Sequence, residues 1–367
     1  MNNTELARTA ARMAQRFAVA SGPLAIEPLG RGLINDTFRV TAGTDRWVLQ
    51  RINGQVFPDP VGIMANLSRL GAHLARQGVV DLTWPELART PEGATWTQDE
   101  TGAVWRLMSF IPGQPLERIA DAHQAAAVGR LLGAFHRAVA DLDPASLRVT
   151  LPGFHVTPGY LEPFDRAARE AVAAPQPGLE AALAFVEARR EGLDLLEQAR
   201  AAGQIPERLV HGDPKLDNLL FDAEGRRALA LIDLDTVQPG LTLHDIGDCL
   251  RSCCNRQGES ARESRVAFDL AVCRPLLQAY ADRTQGLLVP AEVTRLFAAI
   301  RLIPLELGLR FLTDHLQGDR WFRVSAPGQN LAKARIQFAL VADIERQERE
   351  IRAIIAAAFG GFGGYRV

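Results

Sequence analysis

His211-Gly212-Asp213-Pro214-Lys215-Leu216-Asp217-Asn218 places a histidine, an aspartate and an asparagine at the spacing H-x-D-x-x-x-x-N, and about fifteen residues on an apolar run ends in Ile232-Asp233-Leu234-Asp235. Phosphoryl transfer from a nucleotide asks a protein for positioning and charge neutralisation more than for covalent chemistry. One carboxylate must take or orient the proton of an attacking hydroxyl, and Asp213 is assigned that role. Magnesium uses a few oxygen ligands alongside nucleotide phosphates, which makes Asn218 and Asp233 the expected metal ligands. Asp235 is either a further ligand or a holder of the strand end, and the second reading is preferred. His211 is expected to orient the loop through a hydrogen bond. Lys215 either approaches the transferring phosphate or is a solvated charge. Asp and Asn also favour ordinary turns, but a turn alone does not require this set of residues.

The elements around the loop fit that task. Leu219-Leu220-Phe221 and Leu229 to Ile232 flank Asp222-Ala223-Glu224-Gly225, which predicts a hairpin immediately after the loop. Upstream, Ala25 to Ile52 reads as two strands around a turn at Gly43, Val61 to Gly78 as a helix with Gly78 as its C-cap, and Ala103 to Ile111 as a strand. Pro112-Gly113 is the break beyond which helices dominate: Ala122 to Leu142, Leu161 to Ala202, Val266 to Asp282, Val293 to Gln317 and Asn330 to Phe359. The expected fold is α+β and two-lobed, with a β-rich nucleotide-binding lobe over residues 1–108 and a mainly helical catalytic and acceptor-binding lobe over 109–367.

Composition narrows the partners. The 367 residues are 47% hydrophobic and 23% charged with a net charge of −2, so no basic excess points to nucleic acid. No apolar run reaches membrane-spanning length, and Arg8, Arg12 and Arg16 at four-residue spacing describe a solvated amphipathic first helix rather than a leader. Cys249, Cys253, Cys254 and Cys273 form no CxxC pair and fit small buried side chains in a reduced, cytoplasmic setting.

On these residues the chain resembles the aminoglycoside phosphotransferase and choline kinase superfamily, whose signature is H-G-D-x-x-x-x-N followed by I-D-[FWL]-[DE]. Leu49-Gln50-Arg51-Ile52-Asn53, Ile232 to Gly240, Asp245-Ile246-Gly247-Asp248 and Leu305 to Asp314 are similar to N-acetylhexosamine 1-kinases. The resemblance implies a protein-kinase-like fold, ATP and Mg2+ as cofactors, and transfer to the anomeric hydroxyl of N-acetylglucosamine or N-acetylgalactosamine. It also puts adenine at Met108-Ser109-Phe110-Ile111, held by backbone groups of Ser109 and Ile111, and the phosphates near Gly30 and Gly32 of the turn Gly30-Arg31-Gly32-Leu33-Ile34-Asn35-Asp36. The chain departs from protein kinases at one place above all. Its two lysines are Lys215 and Lys333, so the small-lobe lysine is absent. Alignment puts Gln50 at that position, charge chemistry favours Arg51, and Arg51 is taken as the phosphate grip.

For the acceptor, residues 251–367 hold 17 basic and 12 acidic side chains, which disfavours a polycation. A quaternary ammonium wants an aromatic cage, and the few Trp and Tyr residues are scattered. A neutral amino sugar is the expected partner, with Asp36 and Arg310 as its contacts. Glu306, Arg310 and Asp314 at four-residue spacing read equally as a surface ion-pair ladder. Asp245 and Asp248 are expected to tie their segment to neighbouring helices, with Gly240 and Gly247 letting the chain turn. Aminoglycoside, methylthioribose, homoserine or choline kinases of the same fold, and a pseudokinase without turnover, are the alternatives.

Overall fold

The computed structural model describes residues 3–19, 23–30, 34–78, 82–170, 176–258 and 265–360. Its small lobe opens with helix α1 (Asn3–Ala14) and strands β1 (Leu24–Pro28), β2 (Asp36–Ala42) and β3 (Asp45–Arg51), so the expected pair of strands is three. Strands β4 (Thr97–Gln98) and β5 (Val104–Ser109) complete an antiparallel sheet of order β1-β2-β3-β5-β4. The first helix is amphipathic as expected but not simply solvated: Ala10, Met13 and Ala14 bury against Phe38, Val40, Leu49, Trp105 and Leu107 on one sheet face.

Helix α2 (Pro60–Gln77) shows why its limits were readable. The Asp59 side chain accepts the Gly62 N–H at its start, Pro60 needs no helical partner there, and Gly78 ends it in the left-handed region. Its buried face, Ile63, Met64, Leu67, Leu70 and Leu74, is continuous with the core of the large lobe.

The large lobe holds α3 (Ala122–Ala138), α4 (Leu161–Glu170), α5 (Leu179–Glu187), α6 (Leu195–Ala201), α7 (Thr242–Cys253), α8 (Leu270–Arg283), α9 (Pro290–Leu316), α10 (Gln329–Arg346) and α11 (Glu348–Phe359). Two expected long helices are therefore subdivided. Gly178 and Gly192 adopt positive φ between α4, α5 and α6. Gln347 leaves helical geometry as its amide turns inward to Phe268 O and Asp343. Gly247 does not turn the chain; it lies within α7, where a Cβ would fall 2.8 Å from Ala299 O, and so allows α9 to pack close. All four cysteines are buried and free. No described helix is long and apolar enough to cross a membrane.

Candidate active site

The loop from His211 to Asn218 runs between two short antiparallel pairs: β6 (Arg208–Val210) with β9 (Gln238–Gly240), and β7 (Leu219–Phe221) with β8 (Ala228–Leu231). The second pair is the expected hairpin. Gly212 has φ +86° and a Cβ there would lie 2.7 Å from Thr236 O, so this position needs glycine for conformation and for space. Thr236 Oγ1 donates to His211 O at 2.8 Å, stitching the loop to the segment after β8. His211 is fully buried, accepts the Asp213 N–H at Nδ1, and its Nε2 then donates to Ile232 O. Burial holds its pKa below the ordinary value, so it is a neutral orienting group.

Asp245 fixes the loop from the helical side. Its carboxylate accepts from His211 N at 2.7 Å and Gly212 N at 2.8 Å, and from His136 Nε2 at 2.9 Å, while His136 Nδ1 meets Tyr280 Oη. Burial works against this charge, yet the His136 bond and the loop N–H groups hold the Asp245 pKa below the usual carboxylate range. The expected tie to neighbouring helices is thus also a tie to the backbone of the His211–Asn218 loop.

Asp213 is about one quarter exposed and forms an ion pair with Lys215. Burial disfavours the Lys215 charge, but Asp213, with Asp233 and Asp248 nearby, keeps its pKa above the ordinary value. Asn218 donates its amide hydrogens to Asp213 O at 2.8 Å and Asp213 Oδ2 at 3.0 Å, which leaves its carbonyl oxygen as the atom suited to a cation. Asp233 adopts left-handed φ 63°, ψ 61°, a region aspartate tolerates. It keeps solvent contact, yet the protein atoms crowding it, followed by the charges of Asp235 and Asp213, push its carboxyl up to about 7 against the pull of Lys215 and Arg106.

The Asp233 carboxylate and the amide oxygen of Asn218, whose NH2 group is spent on Asp213, are hard oxygen donors of the kind a divalent cation takes. Mg2+ is commonly held by one or two carboxylates plus substrate phosphates. Among the described residues there is no cage of three or more His, Cys, Asp or Glu side chains. Asp233 and the Asn218 oxygen therefore fit as a metal's protein ligands, its remaining positions belonging to phosphate and water.

The other expected residues lie elsewhere. Arg51 and Asp36 are register partners and face the side of the sheet covered by α1; Arg51 pairs with Asp36 at 3.4 Å and Asp99 at 3.7 Å. Gly30 is in the left-handed region, and Gly32 lies outside the described residues. Ser109 N and Phe110 N donate to Glu86 O and Arg46 O. Ile111 packs with Leu220 and Ala230 of the β7–β8 hairpin. Behind them, Met108 and Leu234 border a cavity of 320 Å³ between α2 and β5.

Arg310 is not part of a surface ladder, because Glu306 and Asp314 are both buried. Asp314 accepts the N–H groups of Arg320, Trp321 and Phe322. Glu306 accepts from Thr157 and His155, whose Nε2 donates to Gly212 O at 2.8 Å. The Arg310 guanidinium lies 4.0 Å from Glu306 and within 5.4 to 5.7 Å of the Phe154, Tyr160 and Phe322 rings.

The residue that sequence reasoning passed over is Arg106. It is wholly buried, pairs with Asp235, and donates from Nε and Nη2 to Gln50 Oε1 at 3.0 Å and 2.6 Å. An arginine inside the otherwise apolar run Val104-Trp105-Arg106-Leu107-Met108 was the available signal, since a buried charge demands a partner.

A small β-sheet lobe above a helical lobe, with the loop aspartate, asparagine and strand-end aspartate at their junction, is a kinase-like fold. Residues 25–282 match the family model described as the phosphotransferase enzyme family, and the chain belongs to that family. It is 27% identical to a homoserine kinase of Beijerinckia indica subsp. indica over 235 residues, a match that spans 63% of this chain and 65% of that relative. A microcompartment-associated aminopropanol kinase superposes with TM-score 0.67 at 19% identity, covering 94% of this chain and 98% of the other. The GDP complex of aminoglycoside 2'-phosphotransferase-IIIa superposes with TM-score 0.61 at 18% identity, covering 92% and 99%.

Proposed function

We propose that this phosphotransferase moves the γ-phosphoryl group of Mg-ATP to the anomeric hydroxyl of an N-acetylhexosamine. The observation that carries the reading is the link from Arg310 through Glu306 and His155 to Gly212, which sets a partly exposed guanidinium and three aromatic rings beside the loop that bears Asp213. Asp213 orients the acceptor hydroxyl and takes up its proton, held in place by Asn218 and, through the backbone, by Asp245. Lys215 neutralises Asp213 before reaction and offers its ammonium to the transferring group. Asn218 and Asp233 would hold the Mg2+, which when bound supplies charge neutralisation to the β- and γ-phosphates. Adenine lies against Ile111, Leu220 and Ala230, where Ile111 offers the hinge backbone group not engaged as Ser109 and Phe110 are. Arg310 hydrogen-bonds the sugar, and the aromatic rings bound its apolar face. Asp36 pairs with Arg51 on the α1 side of the sheet, so the acceptor contacts rest on Arg310, and Gly30 keeps its expected place near the phosphates.

A second reading rests on the homoserine kinase relative: in an amino-acid alcohol, Arg310 would meet the carboxylate. The test is ADP release from Mg-ATP with N-acetylglucosamine, N-acetylgalactosamine, glucose, galactose, homoserine, kanamycin and choline, with analysis for a 1-phosphate product. Turnover confined to the N-acetylated sugars supports the proposal, and turnover with homoserine alone replaces it. Nucleotide binding without transfer to any acceptor returns the pseudokinase.

A further inference from the structure

Asp235 lies two residues beyond Asp233, and both of its carboxylate oxygens are held from the small lobe. Oδ1 pairs with Arg106 Nη1 from β5, and Oδ2 accepts from Asn35 Nδ2. Asn35 is itself fixed at the end of β3, because its Oδ1 accepts the Asn53 N–H at 2.9 Å. Gln50 and Arg106 are register partners on the sheet face opposite α1. The Gln50 amide donates to Thr37 Oγ1, which aims its oxygen at the Arg106 fork. Two residues beyond Asp235, Val237 O accepts from Asn66 of α2 at 3.1 Å. The segment that bears the candidate metal ligand is therefore docked on small-lobe side chains at two points.

We propose that Arg106, oriented by Gln50, is the positioning residue that sets Asp233 for metal-nucleotide binding, in place of the absent small-lobe lysine. The inference rests on reading Asp233 as a metal ligand. Arg106 is fully buried, donates to Gln50 and forms an ion pair with Asp235, so it acts through Asp235 rather than by touching phosphate. Gln50 at the lysine position follows from the same geometry: a lysine there would place a second cation against the guanidinium, whereas an amide oxygen accepts its fork. Through this strut, the position of the small lobe and the geometry of Asp233 change together.

The test is calorimetric titration of Mg2+·ADP, and of ADP in chelator, into the whole protein and its Gln50→Leu, Gln50→Glu, Arg106→Lys and Asp233→Asn variants. Gln50 is only half-buried, so its variants keep the question open if an Arg106 variant fails to fold. Outer-shell changes typically cost roughly 10- to 100-fold in metal affinity. That loss is expected for Gln50→Leu and Arg106→Lys with Mg2+·ADP, with little change for ADP in chelator and none in acceptor KM. Gln50→Glu, which still accepts the fork, stays near wild type. Folded Gln50→Leu and Arg106→Lys proteins with wild-type Mg2+·ADP affinity overturn the proposal, even if their Tm falls, provided Asp233→Asn has lost that affinity. If Asp233→Asn also binds as wild type, the metal-site reading fails and the strut's role fails with it.

Discussion

Asp245→Asn isolates what holds the loop that bears Asp213. The carboxylate Oδ2 accepts from both His211 N and His136 Nε2, and Oδ1 accepts from Gly212 N alone. An asparagine does best with its oxygen on the two-bond side, which turns its NH2 group against the Gly212 N–H. One charge-assisted bond is lost, at about 1.5–3 kcal/mol, and a buried N–H is left unpaired at about 1–3 kcal/mol. The net destabilisation expected is about 3–5 kcal/mol, as for other broken buried charge contacts. Because the unpaired group is the one beside Asp213, kcat should fall about 100-fold, the usual cost of a displacement near 1 Å. The folded-state pKa of Asp245 is depressed, so its stabilisation is present above the ordinary carboxylate pKa of about 4 and fades as pH falls through the folded value. The difference between wild type and variant in urea midpoint should accordingly shrink in acid. Urea unfolding from neutral pH down to about pH 2, below the ordinary carboxylate pKa of about 4, with steady-state kinetics at neutral pH is the assay. A variant within about 1 kcal/mol of wild type and with unchanged kcat would refute the argument, since no buried network of this kind tolerates that loss.

Four further outcomes follow from local geometry and charge. Gly212→Ala should cost more stability than Gly30→Ala, because both positions have positive φ but only the first adds a contact at 2.7 Å, and thermal melts of the two compare them directly. The Asp233 carboxyl is raised to about 7 in the metal-free protein, so its stabilising contribution is complete below about 4 and disappears as pH rises through about 7. Metal-free Asp233→Asn should therefore melt above wild type at pH 8 (about one unit past that midpoint) and lose the advantage in acid; an advantage independent of pH contradicts this assignment. In the same window Mg2+ displaces a proton from wild type, so the Mg2+ requirement should rise as pH falls below about 7. On the assignment of Arg310 to the acceptor, Arg310→Met should raise acceptor KM by about 10-fold or more while KM for ATP stays constant.

The sequence exposed those parts of the site that are local. His211, Asp213 and Asn218 sit on one short loop, so the chemistry must appear as a fixed spacing, and the hairpin that holds the loop follows it at once. Helix α2 was equally plain because its caps lie next to it in the chain. What stayed hidden depends on contacts between distant segments. Asn35 and Asp235 are 200 residues apart, and no periodicity links them. Strand alternation correctly separated Gln50 from Arg51, but it could not tell which face of the sheet looks toward Asp235. That needed β5, where Arg106 interrupts an apolar run. The ladder reading of Glu306, Arg310 and Asp314 failed for the same reason: i, i+4 spacing describes one helix face without saying whether that face meets water or other helices.

The two halves of the candidate site are held by different lobes. Asp213 is fixed through Gly212 by Asp245 and His136, both from large-lobe helices. Asp233 belongs to a segment pinned through Asp235 by Arg106 and Asn35, and through Val237 by Asn66, all from the small lobe. Direct stitches between the halves include Thr236 to His211 O, His211 to Ile232 O and Ile232 N–H to Asn218 O, all bonds to backbone carbonyls. The distance between Asp213 and Asp233 therefore depends on how the lobes sit on one another as well as on the loop itself. A substitution at the lobe junction should change metal-nucleotide binding before it changes acceptor binding, whereas one in the Asp245 and His136 chain should act first on the base.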